Sequence, residues 1–155
     1  MQVGAGLLVL VLGTLVYVLD RPSSSAPFFS TVSMAHLLPS LFGRVGDSLP
    51  TFAHVFAFAL VTTACLGGGR RIARLACLAW FGIDTAFEVG QHSSIADRLV
   101  SFIPGWFEQL PILEHADAYF VLGTFDAWDL ASIAAGAAAA YLITLFPTHG
   151  DPHHE

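Results

Sequence analysis

His54, Asp84, Glu88, Gln91, His92, Asp126, Asp129 and Ser132 lie within or at the ends of long apolar stretches. An ionisable side chain is expensive in hydrocarbon, so such residues are placed there for a function, a partner or a structural bond. On a helix turning by about 100° per residue, Asp84, Glu88 and Gln91 fall on one face, with His92 just off it. Asp129, Ser132 and Gly136 share a face of another helix, one turn after Asp126. Three chemistries fit these residue types. Carboxylates crowded together cannot all stay ionised, and a divalent cation held by His54, Glu88 and Asp129 would relieve them; such an oxygen-rich set suits Mg, Ca or Mn, or Zn. Alternatively, Glu88 is a general base with His54 as its partner. In a third reading the cluster does no chemistry: Asp126 and Asp129 cap a helix start, and His54, Glu88 and Gln91 bond to backbone or to neighbouring helices.

The elements that must position these residues follow from hydropathy. Spans at 3–19, 52–67, 72–90 and 127–146 are near the length a bilayer requires, roughly 20 residues. The predicted fold class is all-α: a polytopic membrane protein with four transmembrane helices and interfacial helices in two long outer connections. The predicted regions are a first helix (1–20), an outer connection with a short apolar helix (21–51), a three-helix region (52–146) with an amphipathic insert (97–110), and a polar tail (147–155). Only a tight Gly-rich turn separates the second and third spans, and it carries Arg70 and Arg71, with Arg74 just beyond. The positive-inside rule puts that turn and both termini in the cytoplasm. Alternating threading then brings His54, Asp84, Glu88, Asp126 and Asp129 to one end of the bundle. In the insert, Leu99, Phe102, Ile103, Trp106, Phe107 and Leu110 recur with helical spacing, interrupted by Pro104-Gly105. They predict a helix lying in the headgroup region or a cap over the bundle. Apolar residues 28–42 suit an interfacial segment.

Composition narrows the classes. The chain has 155 residues, is 55% hydrophobic and 12% charged, whereas a soluble domain is roughly a quarter charged. A net charge of −6 leaves no basic footprint for nucleic acid. Lysine is absent; Arg21, Arg44, Arg70, Arg71, Arg74 and Arg98 are the cationic set. With the many alanines, this composition points to a GC-rich bacterial genome. Residues 1–19 read as a retained helix rather than a signal peptide, because no basic residue precedes the apolar core and no A-x-A site follows it. Cys65 and Cys77 read as small buried hydrophobes. The tail histidines, His149, His153 and His154, form a short His-containing tract that could bind metal or simply be solvated.

Three stretches resemble the VanZ-like membrane protein family: Ala53-His54-Val55-Phe56-Ala57-Phe58 opening a helix, Phe87-Glu88-Val89-Gly90-Gln91 closing the next, and Phe125-Asp126-Ala127-Trp128-Asp129-Leu130 with Gly136 in the last. The likeness covers about residues 49–145 and keeps motif order. The chain departs from the family in having Gly123-Thr124 where an arginine is usual before the last helix, Ser132 where asparagine is common, and Leu49-Pro50-Thr51 where charged residues precede the histidine. The resemblance implies a small polytopic protein of the cell envelope, with no obvious anion-binding group here.

Three functions remain open. One is a non-catalytic envelope protein of the bacterial cytoplasmic membrane that binds a lipid-linked or polar ligand from the outer face. A second is an accessory subunit of a larger respiratory or photosynthetic complex, meeting membrane partners through the small-residue fourth helix and the aromatic outer segments. In that reading His36, His54 or His92 could ligate a pigment or haem, although no CxxCH motif is present. A third is a metal-dependent intramembrane hydrolase, without a GxSxG nucleophile motif. Membrane lipids are expected neighbours in all three.

Overall fold

The structure, a computed structural model, describes residues 2–20, 34, 39–111 and 113–146. His36, most of the apolar 28–42 segment and the tail histidines lie outside the described residues. Those described form six α-helices and no strand: α1 (Gln2–Leu19), α2 (Gly43–Cys65), α3 (Arg70–Gly90), α4 (Ser93–Ser101), α5 (Ala116–Leu122) and α6 (Ala127–Leu145), with 3-10 turns at Gly105–Gln109 and Leu113–His115. Helices α1, α2 and α6 are long and apolar enough to cross a membrane, which makes this a membrane protein. Helix α3 has 21 residues, but it carries Arg70, Arg71, Arg74, Asp84 and Glu88.

Helix α3 has an inverted burial pattern. Its buried residues are Ala73, Ala76, Cys77, Asp84, Glu88 and Gly90, while Leu75, Leu78, Phe81, Ile83, Phe87 and Val89 are exposed. Acids face inward and large apolar side chains face outward. That inversion is stable where the surroundings are hydrocarbon and the interior holds the polar partners.

Four long helices alternate in direction. Gly6 of α1 lies against Ala57 and Leu60 of α2, and Gly13 lies against Ala53 and Pro50, so the two helices run antiparallel. A Cβ on Gly13 would come within 2.7 Å of the Ala53 Cβ; bare backbone lets the helices close. Helices α2 and α3 are joined at Gly67, Gly68 and Gly69, whose φ angles of 88°, 76° and 93° are left-handed. Such a run suits glycine, since a side chain there meets its own backbone. Helix α6 runs parallel to α2, with Gly136 over Phe52 and Ala140 in a core of Phe56, Ala59, Leu60 and Cys77. The small-residue face expected to meet other subunits is thus occupied by α2.

Two expected boundaries are corrected. Helix α2 starts at Gly43 rather than 52 and runs through Pro50. Pro50 forfeits a helical hydrogen bond, yet it is buried against α1 beside Gly13. The start of α2 has no cap from Phe42; Ser40 Oγ accepts from the Gly43 amide at 3.1 Å, and Asp20, just past α1, holds the turn before it. Asp20 Oδ1 accepts from the Leu41 amide at 2.8 Å, and Oδ2 accepts from the Phe42 amide at 2.7 Å and from Ser40 Oγ at 2.9 Å. In the second correction, the insert expected at 97–110 is a shorter helix, α4, opened by His92 as its cap and ended before Pro104. A 3-10 turn follows, and Phe102 and Trp106 remain exposed.

The Asp20 contacts have a pH signature. Amide donation, first from Leu41, holds this carboxyl below the ordinary 3.8. A depressed folded-state value means the stabilisation is complete above the ordinary value and is lost as pH falls through the folded one. Hydrogen exchange at the Leu41 and Phe42 amides should therefore stay slow at pH 3.8 and accelerate only below it. Asp20→Ala should make both amides fast at neutral pH. Slow exchange in that variant would mean the turn is held from elsewhere.

Candidate functional site

His54 sits midway along α2, and its Nδ1 lies 2.7 Å from Asp84 Oδ2 on α3. The tight hairpin sets this register. The ring also packs on Phe58 at 4.5 Å between centroids and edge-on to Trp80 at 5.6 Å. Trp80 is fixed in turn, its Nε1 donating to Thr62 Oγ1 at 3.0 Å. The imidazole is thus held on two sides. With Nδ1 facing the carboxylate, Nε2 is left for a ligand, as an acceptor in the neutral ring and a donor in the protonated one.

One turn further along α3, Glu88 Oε1 accepts from the backbone amide of Asp126 at 2.7 Å. Asp126 itself caps α6, its Oδ1 accepting from the Trp128 amide at 2.9 Å. Glu88 therefore ties the start of α6 to the end of α3. Asp129 Oδ1 accepts from Thr51 Oγ1 at 3.3 Å, a bond between α6 and α2. Gln91 bonds to Tyr119 of α5. His92 is exposed and caps α4, its ring accepting from the Ser94 amide at 3.3 Å. Ser132 is half-buried on α6.

Of the eight residues singled out in the sequence, His54, Asp84 and Glu88 line a cavity of about 610 Å³ between α1, α2, α3 and the 113–120 segment. Gln91, His92, Asp126, Asp129 and Ser132 do not line it. The expected metal set of His54, Glu88 and Asp129 is not assembled. Among the described residues no group of three or more His, Cys, Asp or Glu is placed to hold an ion. The physical reason is local: Asp84 takes the histidine, a backbone amide takes Glu88, and Thr51 takes Asp129. His92 uses Nδ1 as the cap of α4.

Sequence reasoning missed several lining residues. Thr14 and Tyr17 of α1, Thr51 of α2, and His115 and Tyr119 of the 113–120 segment all face the cavity. A signal existed for two of them: Thr14 and Tyr17 are the polar side chains in the interior of an otherwise aliphatic α1. Tyr119 carries a record of its surroundings. Its phenol is pushed up to about 12, first by burial and then by Tyr17, Glu88 and Asp84, against the hydrogen bond with Gln91. It stays a neutral hydroxyl, able to donate. Phe87 stacks against Phe120 and meets Tyr119 edge-on, each at 5.8 Å, which fastens the 113–120 segment over the cavity.

Fold and site together define a helical membrane protein with a mostly apolar cavity and a few convergent polar groups, the usual form of a small-molecule site. No known protein family, curated protein or solved structure matches the chain.

Proposed function

We propose that the chain is a small VanZ-like membrane protein that binds an amphipathic molecule, polar end at His54, Asp84 and Glu88, without acting on it chemically. The observation that carries this reading is the cavity. At about 610 Å³ it falls within the roughly 300–1,000 Å³ of ligand sites. Leu10, Ile83 and Leu113 supply apolar wall, and the paired His54 and Asp84 supply a fixed polar end. A general-base role for Glu88 is less favoured, because one carboxylate oxygen already serves the Asp126 amide.

In this reading α3 is the fourth span, and both termini are cytoplasmic in a bacterial inner membrane. Arg70, Arg71 and Arg74 keep the α2–α3 turn on the cytoplasmic side. At about 1.5 Å per residue, His54 and Asp84 then lie about 20 Å beyond the turn, in the outer half of a hydrocarbon layer about 30 Å thick. An amphiphile of the outer leaflet reaches that depth without leaving the membrane.

The test is native mass spectrometry of the full chain released from mild detergent. The unaltered protein should carry a bound amphiphile. Thr14→Trp, which fills the cavity from α1, should lose it while keeping the helical circular-dichroism signal. Equal retention of ligand by both proteins would place the binding elsewhere and overturn the reading.

A further inference from the structure

Resting on the amphiphile reading, the lining charges say which amphiphile fits. Among the described residues, the cavity wall carries two carboxylates, Asp84 and Glu88, and no arginine. Lysine is absent from the whole chain. Arg70, Arg71 and Arg74 are at the opposite end of α3 from the acids. His54 Nδ1 meets Asp84 at 2.7 Å, while Glu88, among the described residues, meets only a backbone amide, that of Asp126. Around them stand Tyr17, Trp80, Phe87, Tyr119 and Phe120, rings whose faces attract cations. An anionic head, or the phosphate of a zwitterionic one, would sit beside two carboxylates with only the imidazoles of His54 and His115, among the described residues, to meet it. We infer that the cavity takes a single-chain organic monocation, an alkylammonium whose head lies between Asp84, Glu88 and the aromatic faces and whose chain follows Leu10 and Ile83.

The test compares four probes of equal chain length on the full chain in maltoside micelles: dodecyltrimethylammonium, dodecanol, laurate and dodecylphosphocholine. Trp80 lines the cavity, whereas Trp106 and Trp128 are exposed. Fluorescence of Trp80 in a Trp106→Phe, Trp128→Phe background therefore reports occupancy. The cation should bind at least about tenfold more tightly than dodecanol. Laurate and dodecylphosphocholine should bind no more tightly than dodecanol. Glu88→Gln, whose amide oxygen can still accept from Asp126, should reduce the cation to the level of the alcohol. Equal binding of all four probes would overturn the cation preference and leave the amphiphile site standing. A preference for laurate or the phosphocholine would overturn it too, as would a cation preference untouched by both Glu88→Gln and Asp84→Asn. Failure of every probe to bind would remove the amphiphile site itself.

Discussion

Asp84→Ala should be the most damaging single change at the site, for stability and for binding together. Asp84 is buried, with a side chain 10% exposed, and it holds the half-exposed ring of His54 at 2.7 Å. Removing a hydrogen bond to a charged partner costs about 1.5–3 kcal/mol, and in this position the histidine loses its polar anchor on α3. Freed, the ring can turn about its remaining contacts with Phe58 and Trp80, and the polar end of the cavity loses its shape. The expected result is a lower unfolding midpoint in detergent and loss of the amphiphile. Cys77 of α3 is buried in the core, whereas Cys65, expected to be buried, is exposed; in a Cys65→Ser background the Cys77 thiol therefore reports opening of the bundle. Asp84→Asn separates two contributions: the amide oxygen preserves much of the bond, so stability should largely recover while binding stays weak. A double-mutant cycle with His54→Ala should show coupling above about 0.5 kcal/mol. Additive effects would mean that the pair does not act as one unit.

Gly136→Leu should do the largest damage to the bundle. A Cβ at this position would stand 2.6 Å from the Phe52 carbonyl oxygen. That obstacle is backbone in the middle of α2, so no rotamer change removes it. Overpacking of this kind typically costs about 1–3 kcal/mol, and contact with a rigid helix puts the change toward the upper end. The damage also travels. Moving α6 away from α2 draws the Asp126 amide from Glu88 and Asp129 from Thr51, so ligand binding should fall although Gly136 does not line the cavity. Gly82→Leu is the matched control, because a Cβ there meets nothing within 4 Å. Equal unfolding midpoints for the two variants would refute close packing of α6 on α2.

Much of this was legible in the chain. Hydropathy alone marked four helical segments, and the Gly67-Gly68-Gly69 turn with its flanking arginines tied two of them into a hairpin. Antiparallel threading then brought His54 to Asp84 and Glu88 to the start of α6, because chain direction follows from span order and needs no knowledge of packing. Asp126 was readable as a helix cap from its position before an apolar run, and it is one.

Other features depended on contacts between residues far apart in sequence. The turn leading into α2 is held by Asp20, at the end of another helix, and local pattern cannot report a contact supplied from there. His92 shares the third span's polar end with Gln91, yet its ring turns to cap α4, a choice made by the turn geometry after Gly90. Asp129 and Ser132 share a face with Gly136, but Thr51 takes the aspartate, so the metal set never forms. Tyr17, His115 and Tyr119 meet at the cavity only because α1 and the 113–120 segment pack on the hairpin. Helix periodicity assigns each polar side chain to a face of its own helix; which partner that face meets is decided by how closely Gly13 and Gly136 let the helices approach. Sequence by itself determined the helices, their directions and the end of the bundle where the acids collect. Tertiary packing decided which of those acids bond to protein and which line the cavity.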